Sequence, residues 1–268
     1  MMSKKFSLIW IFPMSKRKRF IVTSILLSLG FIGIGALDNE FRFLAIGALT
    51  AFAIMLFTWS LKEGLGRNMT LLTLILPTLF TAGVGIFWFL LPSNVFARIP
   101  VVIFYGLGIY VLCLTSNIFT VSAIRTIALL RAARGVGFVL TLITSFLIYD
   151  AILSLRYPFY ITASAMFVFT FPLFMEGLWT ISLETEFSKN IFNMALIFSL
   201  IVAETGIALF FWPVTVIVGS LFLTGTVYVL LGLGQAKLEG RLFSQTVREY
   251  LFVGILVFIG MFFATHWG

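Results

Sequence analysis

Residues 16–37 read KRKRFIVTSILLSLGFIGIGAL. Four consecutive basic residues meet an 18-residue stretch, Phe20 to Leu37, that carries no charge. A helix needs about 20 predominantly apolar residues to cross ~30 Å of hydrocarbon, and a basic flank marks the side that stays in the cytoplasm. A cleaved leader is the competing reading. The run is too long for a typical signal core, and Ile34 stands two positions before Ala36, where cleavage wants a small residue. The segment reads as a retained first membrane helix.

Eight further runs repeat the pattern: Phe43–Leu61, Thr70–Leu91, Ile99–Phe119, Val136–Leu155, Phe159–Leu183, Ile191–Phe210, Val214–Leu233 and Leu251–Thr265. The composition agrees. Apolar residues make up 61% of the 268, charged residues 10%, and Phe alone occurs 32 times, whereas soluble domains carry roughly 25% charge. A water-facing surface cannot be assembled from such a chain. The expected fold class is all-α, a polytopic bundle of nine transmembrane helices, because helices satisfy their backbone internally in lipid. Residues 1–19 form a basic cytoplasmic segment and 20–268 a single membrane domain, with basic inner loops at 120–135 and 234–250.

The charges test that count independently. With the N-terminus inside, fifteen of the 18 Lys and Arg fall on inner segments, and three, Arg42, Arg98 and Arg156, on outer ones. This follows the positive-inside rule and places the C-terminus outside. The net charge of +8 is therefore an orientation signal and not a nucleic-acid footprint. The bias, together with the lack of an acid-poor transit segment, points to the inner membrane of a bacterium.

Several chemistries are excluded. The single Cys113 and the single His266, near the C-terminus, leave no disulfide framework, no cysteine- or histidine-based metal site and no nucleophilic triad. Zincin, aspartyl-protease and phosphate-loop motifs are missing. No cofactor is expected.

Three acids fall inside the spans, Asp150, Glu176 and Glu204, and no Lys or Arg does. Intramembrane ionisable groups are costly and are functional candidates by default. Acids without bases suit protons, metal cations or organic cations better than anions. Asp150 and Glu204 lie level, roughly 8–9 Å from the outer ends of their helices at ~1.5 Å per residue, and would pair if those helices touch. Glu176 lies on the inner side, four residues after Pro172. That proline frees the carbonyl of Val168, so a broken helix with a carboxylate one turn on is expected, as in transporters.

Two inner segments offer positive charge. Gln235–Tyr250 places Lys237, Arg241 and Arg248 in one helical sector opposite Leu238, Leu242, Phe243 and Tyr250, and reads as an interfacial amphipathic helix on anionic headgroups. Arg131 and Arg134, one turn apart, suit topology and headgroup contact, or a phosphate. Small residues in helices, such as Gly30, Gly33 and Gly35, suit close packing within the bundle, a membrane-protein partner or a second copy.

Two resemblances follow from short motifs. Asp38-Asn39-Glu40, after the first helix, resembles the acidic motif in the first external loop of polyprenyl-phosphate-dependent membrane glycosyltransferases. That resemblance implies Asp38 and Glu40 as divalent-cation ligands or base. Residues Ser122–Leu142, SAIRTIALLRAARGVGFVLTL, resemble an uncharacterised family of bacterial multi-pass membrane proteins, to which no activity attaches. Three expectations stand side by side: a carrier-like protein for a proton, cation or lipid; a structural or assembly subunit; and an enzyme on a lipid-linked substrate.

Overall fold

A computed structural model describes residues 15–35, 41–62, 69–91, 95–122, 129–184 and 188–265. Among the described residues there are nine helices: α1 Lys16–Gly35, α2 Arg42–Leu61, α3 Met69–Leu90, α4 Val95–Ser122, α5 Leu130–Ser154, α6 Phe159–Ser182, α7 Lys189–Phe210, α8 Val216–Leu238 and α9 Ser244–Phe263. Each is long and apolar enough to cross a membrane. The odd-numbered helices start at the Lys/Arg-rich end of the bundle, called the basic end below, and the even-numbered ones finish there.

The helices outrun the apolar runs at several ends. α5 starts at Leu130, six residues before Val136, because Arg131, Ala132, Ala133 and Arg134 are good helix formers and need no hydrocarbon. The segment 234–250 departs from expectation more sharply. It is not one interfacial helix: α8 runs on to Leu238, a turn follows, and α9 begins at Ser244. Gly240 adopts φ +69°. The N–H of Arg241 donates to Ala236 O (2.8 Å) and that of Gly240 to Lys237 O (3.2 Å), the paired bonds of a Schellman cap. Glycine is needed there because a Cβ disfavours that conformation. The segment 120–135 is likewise helical at both ends, in α4 and α5, with 123–128 outside the described residues.

Helices α1–α4 pack on one another, and α5–α8 form a second group joined to them through α3 and α4 against α5, and α3 against α6. α9 packs chiefly on α8 and contributes one buried residue, Met261. α6 lies at the centre. Its stretch Leu173–Thr180 is buried on every side, and it passes through Pro172 without interruption. The broken helix expected there is not formed.

Buried hydroxyls spend their donors within their own helices. Thr141, Thr144 and Ser145 donate to the carbonyls four residues back at 2.7–2.9 Å, which satisfies these O–H groups in the low-dielectric interior. Others tie helices together: Thr23 to Ser60 (2.6 Å), Ser24 to the carbonyl of Gly106 (2.6 Å), and Tyr149 to Thr170 (2.8 Å).

Candidate functional site

At the basic end, α5 begins, α6 and α8 finish, and α9 begins. Between α5, α8 and α9 lies a cavity of about 430 Å³, within the usual range for small-ligand pockets. Arg131, Arg134, Gln235, Glu239, Arg241 and Thr246 supply its polar lining, and Phe138 and Tyr250 its aromatic one. Three arginines against one glutamate give the lining a net formal charge of +2. Phe138 meets Tyr228 edge-on and Tyr228 meets Tyr250 at a tilt, with centroids 5.7 and 5.4 Å apart. The first turns of α5 and α9 reach this space with the positive ends of their dipoles, and the last turns of α6 and α8 with the negative ends of theirs.

Arg134 is the keystone. Its Nε donates to Thr180 O (3.0 Å) and its other nitrogens to Ile181 O (2.6 Å) and to Glu239 Oε1 (3.3 Å). Both carbonyls belong to the last turn of α6, which has no intrahelical donors left for them. Glu239 also meets Arg241 at 3.5 Å. One turn deeper, Gln235 Nε2 donates to Gly177 O at 2.8 Å. The cavity wall therefore anchors the end of α6 through α5 and α8 together. Arg131 is exposed at the mouth, with no hydrogen-bond or ion-pair partner among the described residues, and Arg241 keeps 63% of its side chain accessible. These two are the cations available to a ligand.

Three of the five basic residues singled out in the sequence thus converge, Arg131, Arg134 and Arg241, while Lys237 and Arg248 are exposed outside the lining. Gln235, Glu239, Thr246, Tyr250 and Phe138 were not anticipated. The one signal for the turn that assembles them is Gly240 following Lys237, a helix-stop pattern.

The three acids separate. Glu176 is 4% exposed, inside the fully buried stretch of α6 and next to the Gly177 whose carbonyl Gln235 holds. Among the described residues its carboxyl has no hydrogen-bond or ion-pair partner. Asp150 is buried near the far end of α5 and lies near Ser220 on α8, whose hydroxyl donates to Ile217 O (3.0 Å). Glu204 is exposed on α7 whereas Asp150 is buried, and α5 and α7 are not among the helix pairs that pack closely, so the condition for an Asp150–Glu204 pair is not met. Asp38 and Glu40 lie outside the described residues. Cys113 is a buried free thiol, in keeping with a packing role. Among the described residues no group of three or more His, Cys, Asp or Glu could hold a metal.

No curated protein and no solved structure matches the chain. A family model described as "Protein of unknown function (DUF5656)" matches residues 23–264, from the first membrane helix to the end of the last. This multi-pass membrane protein therefore belongs to an uncharacterised family, DUF5656.

Proposed function

We propose that this chain is a carrier-like membrane protein that binds the anionic headgroup of a lipid at its basic end, which faces the cytoplasm. The observation that carries the reading is the cavity. Arg131 and Arg241 offer accessible charge, Thr246 a hydroxyl, and Phe138 and Tyr250 an aromatic wall. Arginine suits the phosphate of such a headgroup because its fork donates two parallel bonds. Because α9 packs chiefly on α8, the gap between α5 and α9 opens sideways, so acyl chains can stay in the bilayer while the headgroup enters. The Lys/Arg asymmetry supports the assignment of sides, and a bacterial inner membrane fits the same bias.

The test is thermal unfolding in a mild detergent during titration with phosphatidylglycerol or phosphatidylcholine. Ligand bound by the native state raises stability by mass action. Phosphatidylglycerol is expected to raise the midpoint by several degrees and phosphatidylcholine to leave it nearly unchanged. Arg131→Ala combined with Arg241→Ala removes most of that rise. Equal shifts with both lipids count against the site.

A second reading rests on Glu176, a buried carboxyl without a partner, as the carrier of a proton or cation. An apolar side chain of similar length fits such a place better than an acid does. Glu176→Met is therefore expected to raise stability by about 1 kcal/mol while abolishing proton or cation flux in proteoliposomes. Flux equal to that of the native chain removes Glu176 from any transport role.

A further inference from the structure

α7 carries a carboxylate on the wrong side for a membrane protein. Ionisable residues within spans almost always face the bundle interior or a watery cavity, yet Glu204 is exposed, six residues from the end of a 22-residue helix, or about 9 Å along its axis. It does not stand alone. Asn193 is also exposed; eleven residues earlier, it falls within about 20° of the same face and about 16 Å along the axis. Between them Ile197, Leu200 and Ile201 are 52%, 45% and 37% exposed, and Ala208 continues the line beyond Glu204. Neither Asn193 nor Glu204 has a side-chain hydrogen-bond or ion-pair partner among the described residues. The opposite face of α7, with Met194, Ala195, Val202 and Gly206, is the one buried, largely against α6.

We propose that this stripe of α7 docks a transmembrane helix of another protein, one carrying a lysine or arginine at the depth of Glu204. Charge complementarity selects that occupant. A carboxylate facing hydrocarbon is relieved most by a cation at its own level, and a desolvated acid–base pair locks two helices in register. A second copy of this chain does not supply the cation. Its arginines at this end are Arg42, the first residue of α2; Arg98, held 5.1 Å over the Trp88 ring; and Arg156, in the turn between α5 and α6. With Arg42 at the very start of its helix, Arg156 in a turn and Arg98 already engaged by Trp88, none offers a free cation about 9 Å inside a helix end. Asn193, nearer the basic end, adds a second hydrogen-bonding point.

The experiment uses the full chain, donor-labelled and reconstituted in phosphatidylcholine vesicles with an acceptor-labelled synthetic Leu-Ala helix. The probe carries one lysine about 9 Å inside the matching end, and its control carries leucine there. Energy transfer at varied peptide-to-lipid ratio yields the association constant. The lysine helix is expected to bind about ten-fold more tightly than the leucine helix. Glu204→Leu, a change at an exposed position that leaves the bundle folded by circular dichroism, is expected to erase the difference. Equal binding of the two probes overturns the proposal, as does a lysine preference that survives Glu204→Leu. Self-association of the chain that depends on Glu204 overturns it as well, by assigning the stripe to a second copy.

Discussion

Arg134→Ala is expected to destabilise the bundle by about 3 kcal/mol, measured by denaturant or thermal unfolding in mild detergent. Two hydrogen bonds from a charged donor to the carbonyls of Thr180 and Ile181 are lost, each worth roughly 1.5–3 kcal/mol where partly buried. The carbonyls left behind have no intrahelical substitute. The contact with Glu239 adds less, since both side chains keep about a quarter of their surface in solvent (25% and 28%) and exposed pairs are worth ~0–1 kcal/mol. Arg134→Lys is expected to recover less than half of the loss, because a single ammonium cannot span both carbonyls and the carboxylate. A loss below about 1 kcal/mol for the alanine variant would show that the end of α6 is held by something other than Arg134.

Gly234→Leu is expected to cost a further 2–3 kcal/mol or so, the range for overpacking a closed interface. A Cβ built on Gly234 lies 2.8 Å from both Leu178 Cδ2 and Phe198 Cε2, and one on Gly177 lies 2.9 Å from Leu231 Cδ1. α6 and α8 thus approach by setting a glycine of each against a leucine of the other, the small-residue packing that brings membrane helices close. Leucine at 234 pushes α8 off α6 and α7 and pulls Gln235 away from the Gly177 carbonyl. Adding Leu178→Ala to Gly234→Leu makes room and should restore about half of the loss. An unaltered unfolding midpoint for Gly234→Leu would mean that the α6–α8 contact is looser than described.

The spans were legible in the sequence because hydrocarbon imposes its own length and because Lys and Arg alternate around them. Their ends were harder to place. Arg131 and Arg134 end an apolar run without ending a helix, so α5 reaches farther than hydropathy suggests. The periodicity of Gln235–Tyr250 persists across a break made by one backbone conformation, that of Gly240, which an amphipathic pattern does not register. The place of each acid along its helix was readable, but the direction it faces was not. α6 is buried all round from Leu173 to Thr180 and so offers no polar face from which to judge Glu176. On α7, the exposed stripe is as apolar as the face that meets α6, apart from Asn193 and Glu204. Asp150 lies near Ser220, seventy positions away in sequence, a proximity that needs the α5–α8 contact to be known. The cavity joins the first turn of α5 to that of α9, more than a hundred residues apart, and no local motif announces it.

Native mass spectrometry of the chain released from lipid discs holding equal phosphatidylglycerol and phosphatidylcholine tests the headgroup site most directly. One anionic phospholipid retained per native chain, and lost when Arg131→Ala and Arg241→Ala are combined, is the predicted result. Equal retention of the two lipid classes, or undiminished phosphatidylglycerol on the double variant, would contradict it.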